Sequence, residues 1–484
     1  MKQIVFILII FNQIVSYTFC AIRYVTPTGA GALNASSWAN ASSGLNLQSV
    51  INGATAGDEI WVAAGTYFTT NGTNRTISFS MRNNITIYGS FTGTETGLSQ
   101  RNIAQGITSI LSAEIGASGN SDNSFHTISN VGLNNSAIID GFVIRGANDN
   151  RTATITEGLG GGIYNNGSGV TGVCSPTIRN CLITSNYATF GGGIFNNGYN
   201  GGTANPYILN CVITNNEATG GGGIDNFGLL NNGNASPTIT NCVIYNNRAT
   251  FRAGGMYCWG GNGGNTNPIV TNTTFVNNTA ADGGGVVADI LNLSGGSSGN
   301  SNPNFRNCIF WGNTATNLGP QFFLLGGATF TATYTAIDLT GQSSPHLLSG
   351  MGTGNLNINP LLSDASLGAG ADNVWLTHDD GMNITINSPL INAGDPSITA
   401  PTSDIFGYIR TGIFDIGAYE CRRYKFIGPG NLWSDNTNWD VGAPPPSLFQ
   451  GAIIIEANCE KEGTLLTGQS QLIINAGKTL IVKE

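Results

Sequence analysis

The sequence predicts an all-β protein: a right-handed parallel β-helix with asparagine and cysteine ladders, capped at its end and followed by a small C-terminal β module. Three observations predict it. From about Gly160 to Thr316 a pattern of Gly-Gly, apolar residue, loop, Pro, apolar residue and Asn-Cys repeats five times. The residue after each glycine pair, Ile163, Ile194, Ile224, Met256 and Val286, recurs every 30–32 residues. Such a period marks a solenoid, whose repeats bury their apolar faces only against one another. Composition is the second observation: 69 of 484 residues are glycine, and 9% are charged where an average domain has about 25%. The repeats are dense in Gly, Asn and Thr and nearly free of helix formers.

The third observation is columnar. Asn180, Asn210, Asn241, Asn272 and Asn307 precede Cys181, Cys211, Cys242, Thr273 and Cys308. Ile183, Ile213, Ile244, Phe275 and Phe310 follow two residues on, and Ile178, Ile208, Ile239, Val270 and Phe305 stand three before the cysteine column. Residues two apart on a strand share a face, so the Cys and Ile columns point the same way. Asparagine ahead of each Cys fits a bend, because it tolerates the left-handed backbone region, and stacked amides hydrogen-bond along the axis. A further column, Asn186, Asn216, Asn247, Asn278 and Asn313, predicts a second bend; Asn165, Asn196 and Asn226 begin a fourth that lapses at Cys258 and Ala288. Each repeat is expected to hold about three short strands, laid on the next copy about 4.8 Å away. The columns do not encode handedness; right-handed is the rule for parallel crossovers.

The Gly-Gly-x-Ile and Asn-Cys-x-Ile-x-x-Asn pattern resembles the repeats of the polymorphic outer-membrane protein group and, more broadly, the secreted β-helix proteins of the pectate-lyase-like superfamily. The run Gly57 to Tyr67 resembles the opening coil of that class, and Ser388 to Asp395 with Asp415 to Glu420 resembles its closing segment. The resemblance spans roughly Ile22 to Glu420. It implies the fold and secretion, and leaves the chemistry open, since the group contains enzymes and adhesins.

In chain order, Lys2 and the apolar run Ile4 to Phe11 predict a secretory signal peptide over residues 1–21, too short to span a bilayer. The β-helix domain is expected over 22–420, with less regular opening strands at Glu59 to Val62, Thr76 to Phe79, Asn84 to Tyr88 and Ala137 to Ile144, and a closing segment over 388–420. A linker and partial β module follow over 421–484, marked by Trp433, Trp439, Pro444 to Pro446 and later apolar runs. No later stretch is long enough to cross a membrane. The expected location is extracellular, secreted or associated with the outer membrane or cell surface.

Net charge is −9 and no lysine occurs between Lys2 and Lys425. A nucleic-acid partner needs clustered basic residues and is not expected. The expected partner is an extracellular polysaccharide or a surface protein. Nine cysteines in a secreted chain suggest disulfides, but the ladder cysteines occupy an inward column where free thiols act as small apolar residues; Cys421 and Cys459 lie outside the repeat and could form a disulfide with each other. With no Cys-x-x-Cys and only His126, His346 and His378, no metal spacing appears and no cofactor is expected beyond a possible Ca²⁺.

Two sets of residues stand out for function. An enzyme acting on acidic polysaccharide, a lyase or glycoside hydrolase, would need carboxylates converging across a groove. The candidates are Glu217, Asp225, Asp282 and Asp289. Glu217 aligns with Arg248, which a simple ion pair explains. Asp225 replaces the aromatics of its column and is expected at a solvated surface position, or as a partner for a sugar hydroxyl. In the closing segment Asp395, Asp404, Asp415 and Glu420 could hold Ca²⁺, or Arg410 could pair with one of them while the segment covers the open end of the solenoid. The second set, Tyr164, Phe195, Tyr257 and Trp259, follows the glycine turns and would form a ligand-binding row if exposed, or cover the loop side if not. Without a convergent catalytic group, the sequence favours a non-catalytic adhesin-like binding or structural module.

Overall fold

Four parallel sheets of eleven, nine, seven and six strands run along the chain in a computed structural model. The structure describes residues 20–101, 103, 106–152, 157–291, 299–343, 351–377, 379–421, 423–439, 452–463 and 471–483. The predicted signal peptide, except its last two residues, lies outside them, as do Pro444 to Pro446 and part of the loop from Ile290 to Pro303.

The coil beginning at Ile163 shows how the sequence winds. Its first face is Ile163–Asn166, its second Thr177–Arg179, its third Leu182–Thr184 and its fourth Tyr187–Phe190. Ile194–Asn197 then stacks in parallel on Ile163–Asn166, with Ile194 opposite Ile163 and Phe195 opposite Tyr164. A regular coil therefore has four strands rather than the expected three. The added strand lies between Asn186 and the glycine turn, where Gly191 at φ 68° ends it; what reads as one glycine-rich bend is strand, turn, strand.

The first predicted bend is where the columns place it. Asn180, Asn210, Asn241, Asn272 and Asn307 all adopt φ 47–53°, the left-handed region that asparagine tolerates better than other non-glycine residues. At the second bend the left-handed residue is one earlier than expected, at Ser185, Asn215, Asn246, Asn277 and Gly312. This frees Asn186 and its stacked partners to point inward as a buried ladder. Their Nδ2 atoms donate to the next Oδ1 at 3.0, 3.0, 3.0 and 2.9 Å from Asn186 to Asn313. Each amide also donates to a carbonyl of the preceding coil, as Asn247 does to Ile213 O at 2.9 Å. Gln321 closes the row by accepting from Asn313 at 2.7 Å. The shorter ladder on the first face starts one coil earlier than the repeat, at Asn130, and ends where Asn226 meets the Cys258 sulfur.

Inside the coils the three long faces contribute Ile, Val, Met and Phe, while the fourth contributes Ala188, Ala218, Ala249 and Ala280, all buried. Cys181, Cys211, Cys242 and Cys308 are buried free thiols that behave as core residues. Burial pushes the Cys308 thiol up to about 12. Toward the end the core becomes aromatic, with Phe275 stacked on Phe310 and Phe322 on Phe330 at centroid distances of 4.6 and 4.3 Å.

Both ends of the stack are covered, which spares a row of unpaired backbone groups. At the start, helix Leu47–Gly53, not anticipated from the sequence, buries Leu47 and Ile51 against the core. Among the opening runs, Thr76 to Phe79 makes only a single bridge from Phe79 to Ile128, and Ala137 to Ile144 is divided by Gly141 at φ 81° into Ile138–Asp140 and Phe142–Arg145. At the far end Gln342 accepts from Gln321 N and Phe322 N and donates to Phe322 O.

The closing segment is not the cover that the sequence suggested. It lies along the outside of the second and third faces, where Ala418 N donates to Thr274 Oγ1 and Asn272 to Asp415 O; the stretch before it lies there too, with Asn277 donating to Ala365 O and Tyr245 packed on Trp375. It takes up the bend asparagines Asn241, Asn272 and Asn307, whose amides would otherwise face water. Beyond it, Arg423–Phe426, Ala452–Ile455 and Gln471–Ile474 form a parallel sheet, with Cys459–Glu462 parallel to Leu480–Lys483. Phe426, Trp433, Trp439, Ile453, Ile455 and Cys459 make its core. Cys459 is a free thiol there, so the suggested Cys421–Cys459 disulfide is not formed. Among the described residues no helix is long and apolar enough to cross a membrane.

Candidate functional site

On the first face Ile163 and Asn165 point inward, so Tyr164 and Asn166 point out. Stacking makes two outer columns: Tyr164, Phe195, Asp225, Tyr257, Val287 and Phe323, and beside it Asn166, Asn197, Phe227, Trp259, Asp289 and Leu325. The first column points outward yet is covered, with Tyr164, Phe195 and Tyr257 only 8, 2 and 1% exposed. The glycine turn of each coil folds back over it. A Cβ at Gly191 would lie 2.8 Å from the Phe195 Cβ and one at Gly221 2.7 Å from the Asp225 Cβ, and both glycines have positive φ. Only a residue without a side chain lets the turn come so close.

Three of the four aromatics singled out in the sequence are therefore wall, and only Trp259 reaches solvent. It belongs to a different group of rings. Phe190, at the end of the fourth face, meets Trp259 edge-on at 5.2 Å, Phe227 meets Trp259 at 5.5 Å, and Tyr199 stacks on Phe227 at 5.4 Å with planes 2° apart. All four are partly exposed. Phe227 was legible as the residue two after Asp225 on the same face; Phe190 and Tyr199 come from a strand end and a loop whose folding toward this face no column signals.

A diagonal rule organises the wall: a long first-column side chain reaches the second-column residue of the next coil. Asn197 Nδ2 donates to Tyr164 Oη at 3.0 Å, and Tyr257 Oη donates to Asp289 Oδ2 at 3.1 Å. Arg252 also donates to Asp289 at 3.2 Å. Burial raises the Asp289 carboxyl above the usual carboxylate range against these two partners.

Asp225 breaks the rule. It is 1% exposed rather than solvated, and neither carboxylate oxygen has a hydrogen-bond partner. It is buried because it stands in an aromatic column beneath its glycine turn. Burial alone pushes its carboxyl well above the usual carboxylate range.

The four candidate acids do not gather. Glu217 and Asp282 lie on the fourth face, where Glu217 pairs with Arg248 and Asp282 stands opposite Arg252. Asp225 and Asp289 lie on the first, in different columns two coils apart. In the closing segment each acid is engaged: Asp404 accepts from Phe406, Tyr408 and Glu420 backbone N–H groups, Asp415 from those of Asn392 and Cys421, and Asp395 from Ser397 N and Oγ while it forms an ion pair with Arg306 at 3.5 Å. Buried Arg410 pairs with Glu420 and donates to Gly417 O, Ala418 O and Asn241 Oδ1. Burial, reinforced by Asp415, raises Glu420 to about 7, and burial lifts Asp380 to about 8 although Tyr419 Oη donates to it at 3.0 Å. Among the described residues no three His, Cys, Asp or Glu side chains are grouped to hold a metal ion.

Sheets and ladders define a right-handed parallel β-helix protein. No family model matches the chain, and no curated protein matches its sequence. Among solved structures it is similar to pectate lyase Pel9A, at 15% identity over 83% of this chain and 96% of that one with a TM-score of 0.40. It is also similar to XylC in complex with xylose, at 10% identity over 83% and 98% with a TM-score of 0.27. A third likeness is to the PL6 family alginate lyase AlyGC, at 13% identity over 96% and 68% with a TM-score of 0.20.

Proposed function

We propose that this chain is a secreted or cell-surface, non-catalytic β-helix module that binds an extracellular polysaccharide through the outer side of its first face. The observation that carries this reading is the contiguous group Phe190, Tyr199, Phe227 and Trp259, partly exposed on successive coils, with Phe227 and Trp259 on adjacent strands of the first-face sheet. Flat rings bury area at low entropic cost, and a stacked sheet holds them in place before a ligand arrives. Dispersal of Glu217, Asp225, Asp282 and Asp289 over two faces supports binding without turnover, since glycoside cleavage needs two carboxyl groups within about 5–10 Å across a cleft. The adhesin-like aspect draws on the repeats that resemble the polymorphic outer-membrane protein group, and secretion on the N-terminal apolar run.

A screen of the purified chain against acidic and neutral polysaccharides, with and without Ca²⁺, tests the reading by affinity electrophoresis and by assay of new reducing or unsaturated ends. Retardation without products is expected, weakened about tenfold or more by Phe227→Ala or Tyr199→Ala. New chain ends would replace it with a lyase or hydrolase; binding to a surface protein alone would move the ligand class.

A further inference from the structure

One coil of the outer wall is built differently from its neighbours. Along the fourth face the register runs Phe190, Gly220, Arg252, and along the first Phe195, Asp225, Tyr257. The middle coil thus carries a glycine and a short acid where the coils on either side carry large side chains. The notch is closed over by its neighbours' rings. A Cβ at Gly220 would lie 2.9 Å from the Phe190 ring and 3.3 Å from that of Tyr257, and Phe190 reaches across two coils to touch Trp259.

Two polar groups are sealed here, with Asp225 beneath the Gly220–Gly221 turn against which the Phe190 ring lies. Both oxygens of Asp225 are without a hydrogen-bond partner, and so is Nε1 of Trp259, which is buried although the Trp259 ring is partly exposed. The N–H edge of that ring is therefore turned inward. Asp225 and Trp259 stand in the same diagonal relation as Tyr164 with Asn197 and Tyr257 with Asp289, the pairs that hydrogen-bond directly. Between Asp225 and Trp259 no such bond forms. Buried polar groups in folded proteins are almost always paired, and an unpaired cluster calls for an explanation such as a missing partner.

Resting on the polysaccharide-binding reading, we propose that Phe190, Phe227 and Trp259 close over a niche that takes one neutral sugar ring, with a hydroxyl bridging the Asp225 carboxyl and the Trp259 Nε1–H. A hydroxyl is the complementary group because it donates and accepts at once, while the sugar's apolar face packs on the rings. An anionic sugar is the poorer fit: its charge would be set beside the Asp225 carboxyl, and the nearby Arg252 already spends its Nη1 on Asp289 and Tyr257, which leaves only its Nε–H without a partner. The Phe190–Trp259 contact parts to admit the ring.

Isothermal titration of the full chain with soluble neutral oligosaccharides of glucose, galactose, mannose and xylose, and with oligogalacturonate, tests the niche. A neutral oligosaccharide is expected to bind. Affinity should fall about tenfold or more in Asp225→Leu and in Trp259→Phe, and stay within about threefold in Asp225→Asn, which keeps the hydrogen-bonding capacity. Trp259→Phe keeps one aromatic ring and removes the N–H together with the second fused ring, so it is read beside Asp225→Asn, and the two decide the matter even if Asp225→Leu misfolds. Neutral binding unchanged in Trp259→Phe would overturn the niche and leave the broader function standing. So would binding of oligogalacturonate alone. Binding of no saccharide would overturn both.

Discussion

The ladder from Asn186 to Asn313 and the outer wall of the first face are both columns of single residues repeated over consecutive coils, but they differ in how their polar atoms fare. Every amide of the ladder is paired, whereas Asp225 and Trp259 leave three buried atoms without partners. An amide carries a donor and an acceptor, so a copy displaced by one coil satisfies its neighbour. A carboxyl or an indole cannot pair with aromatic neighbours, and its partner must come from elsewhere. Repetition stabilises polar groups only where the repeated group is self-complementary.

The sharpest way to break that comparison is to interrupt the ladder. Asn247 donates to Asn278 and to Ile213 O and accepts from Asn216, all buried. Asn247→Ala strands several of these groups at once and should cost about 3–5 kcal/mol. Asn166→Ala, half-buried in the outer wall, should cost under about 1 kcal/mol. Urea titration followed by far-UV circular dichroism compares the two; equal losses would mean that the ladder contributes nothing special.

A second contrast separates the coils from the closing segment that leans on them. Arg410 is the segment's buried tie, and Arg410→Met leaves Glu420 and the Asn241 amide short of a partner. Breaking such a pair costs about 3 kcal/mol, and the loss should be local. Hydrogen exchange is expected to rise across residues 390–420 while amides of the coils at 178–214 stay protected. Uniform exchange throughout would show that segment and coils unfold as one unit.

How far the sequence spoke differs along the same line. Columns of identical residues gave away the solenoid, the bend at Asn180 and the inward Cys and Ile faces, because stacking forces equivalence at a fixed period. The fourth strand was hidden because Tyr187 to Phe190 varies from coil to coil and faces solvent on one side. The helix at Leu47–Gly53 and the lateral path of the closing segment occur once, so no period announces them. The wall was half legible: the sequence placed Tyr164, Phe195 and Tyr257 after the glycine turns and left open whether they are exposed or covering, and only the fold shows the glycine turns lying on top of them. Asp225, expected at a solvated position, is buried because the same turn lies over it.

A third contrast concerns that residue and is resolved by pH. In the unfolded chain its carboxyl releases a proton near pH 4. Burial holds the proton on in the native state to a well higher pH, so between those limits the native protein binds the extra proton and loses stability as pH rises. Asp225→Asn removes this titration. Wild type and variant should be nearly equal at pH 4 and diverge above it in the variant's favour, by at most about 1.4 kcal/mol per pH unit. Asp380 and Glu420 titrate in the same window, at about 8 and about 7, but they are present in both proteins and cancel in the difference. Denaturant midpoints at pH 4.0, 5.5 and 7.5 would settle it. A difference that does not change with pH would mean that Asp225 ionises as readily when folded as when unfolded, and that water or a cation reaches it through the ring contact above.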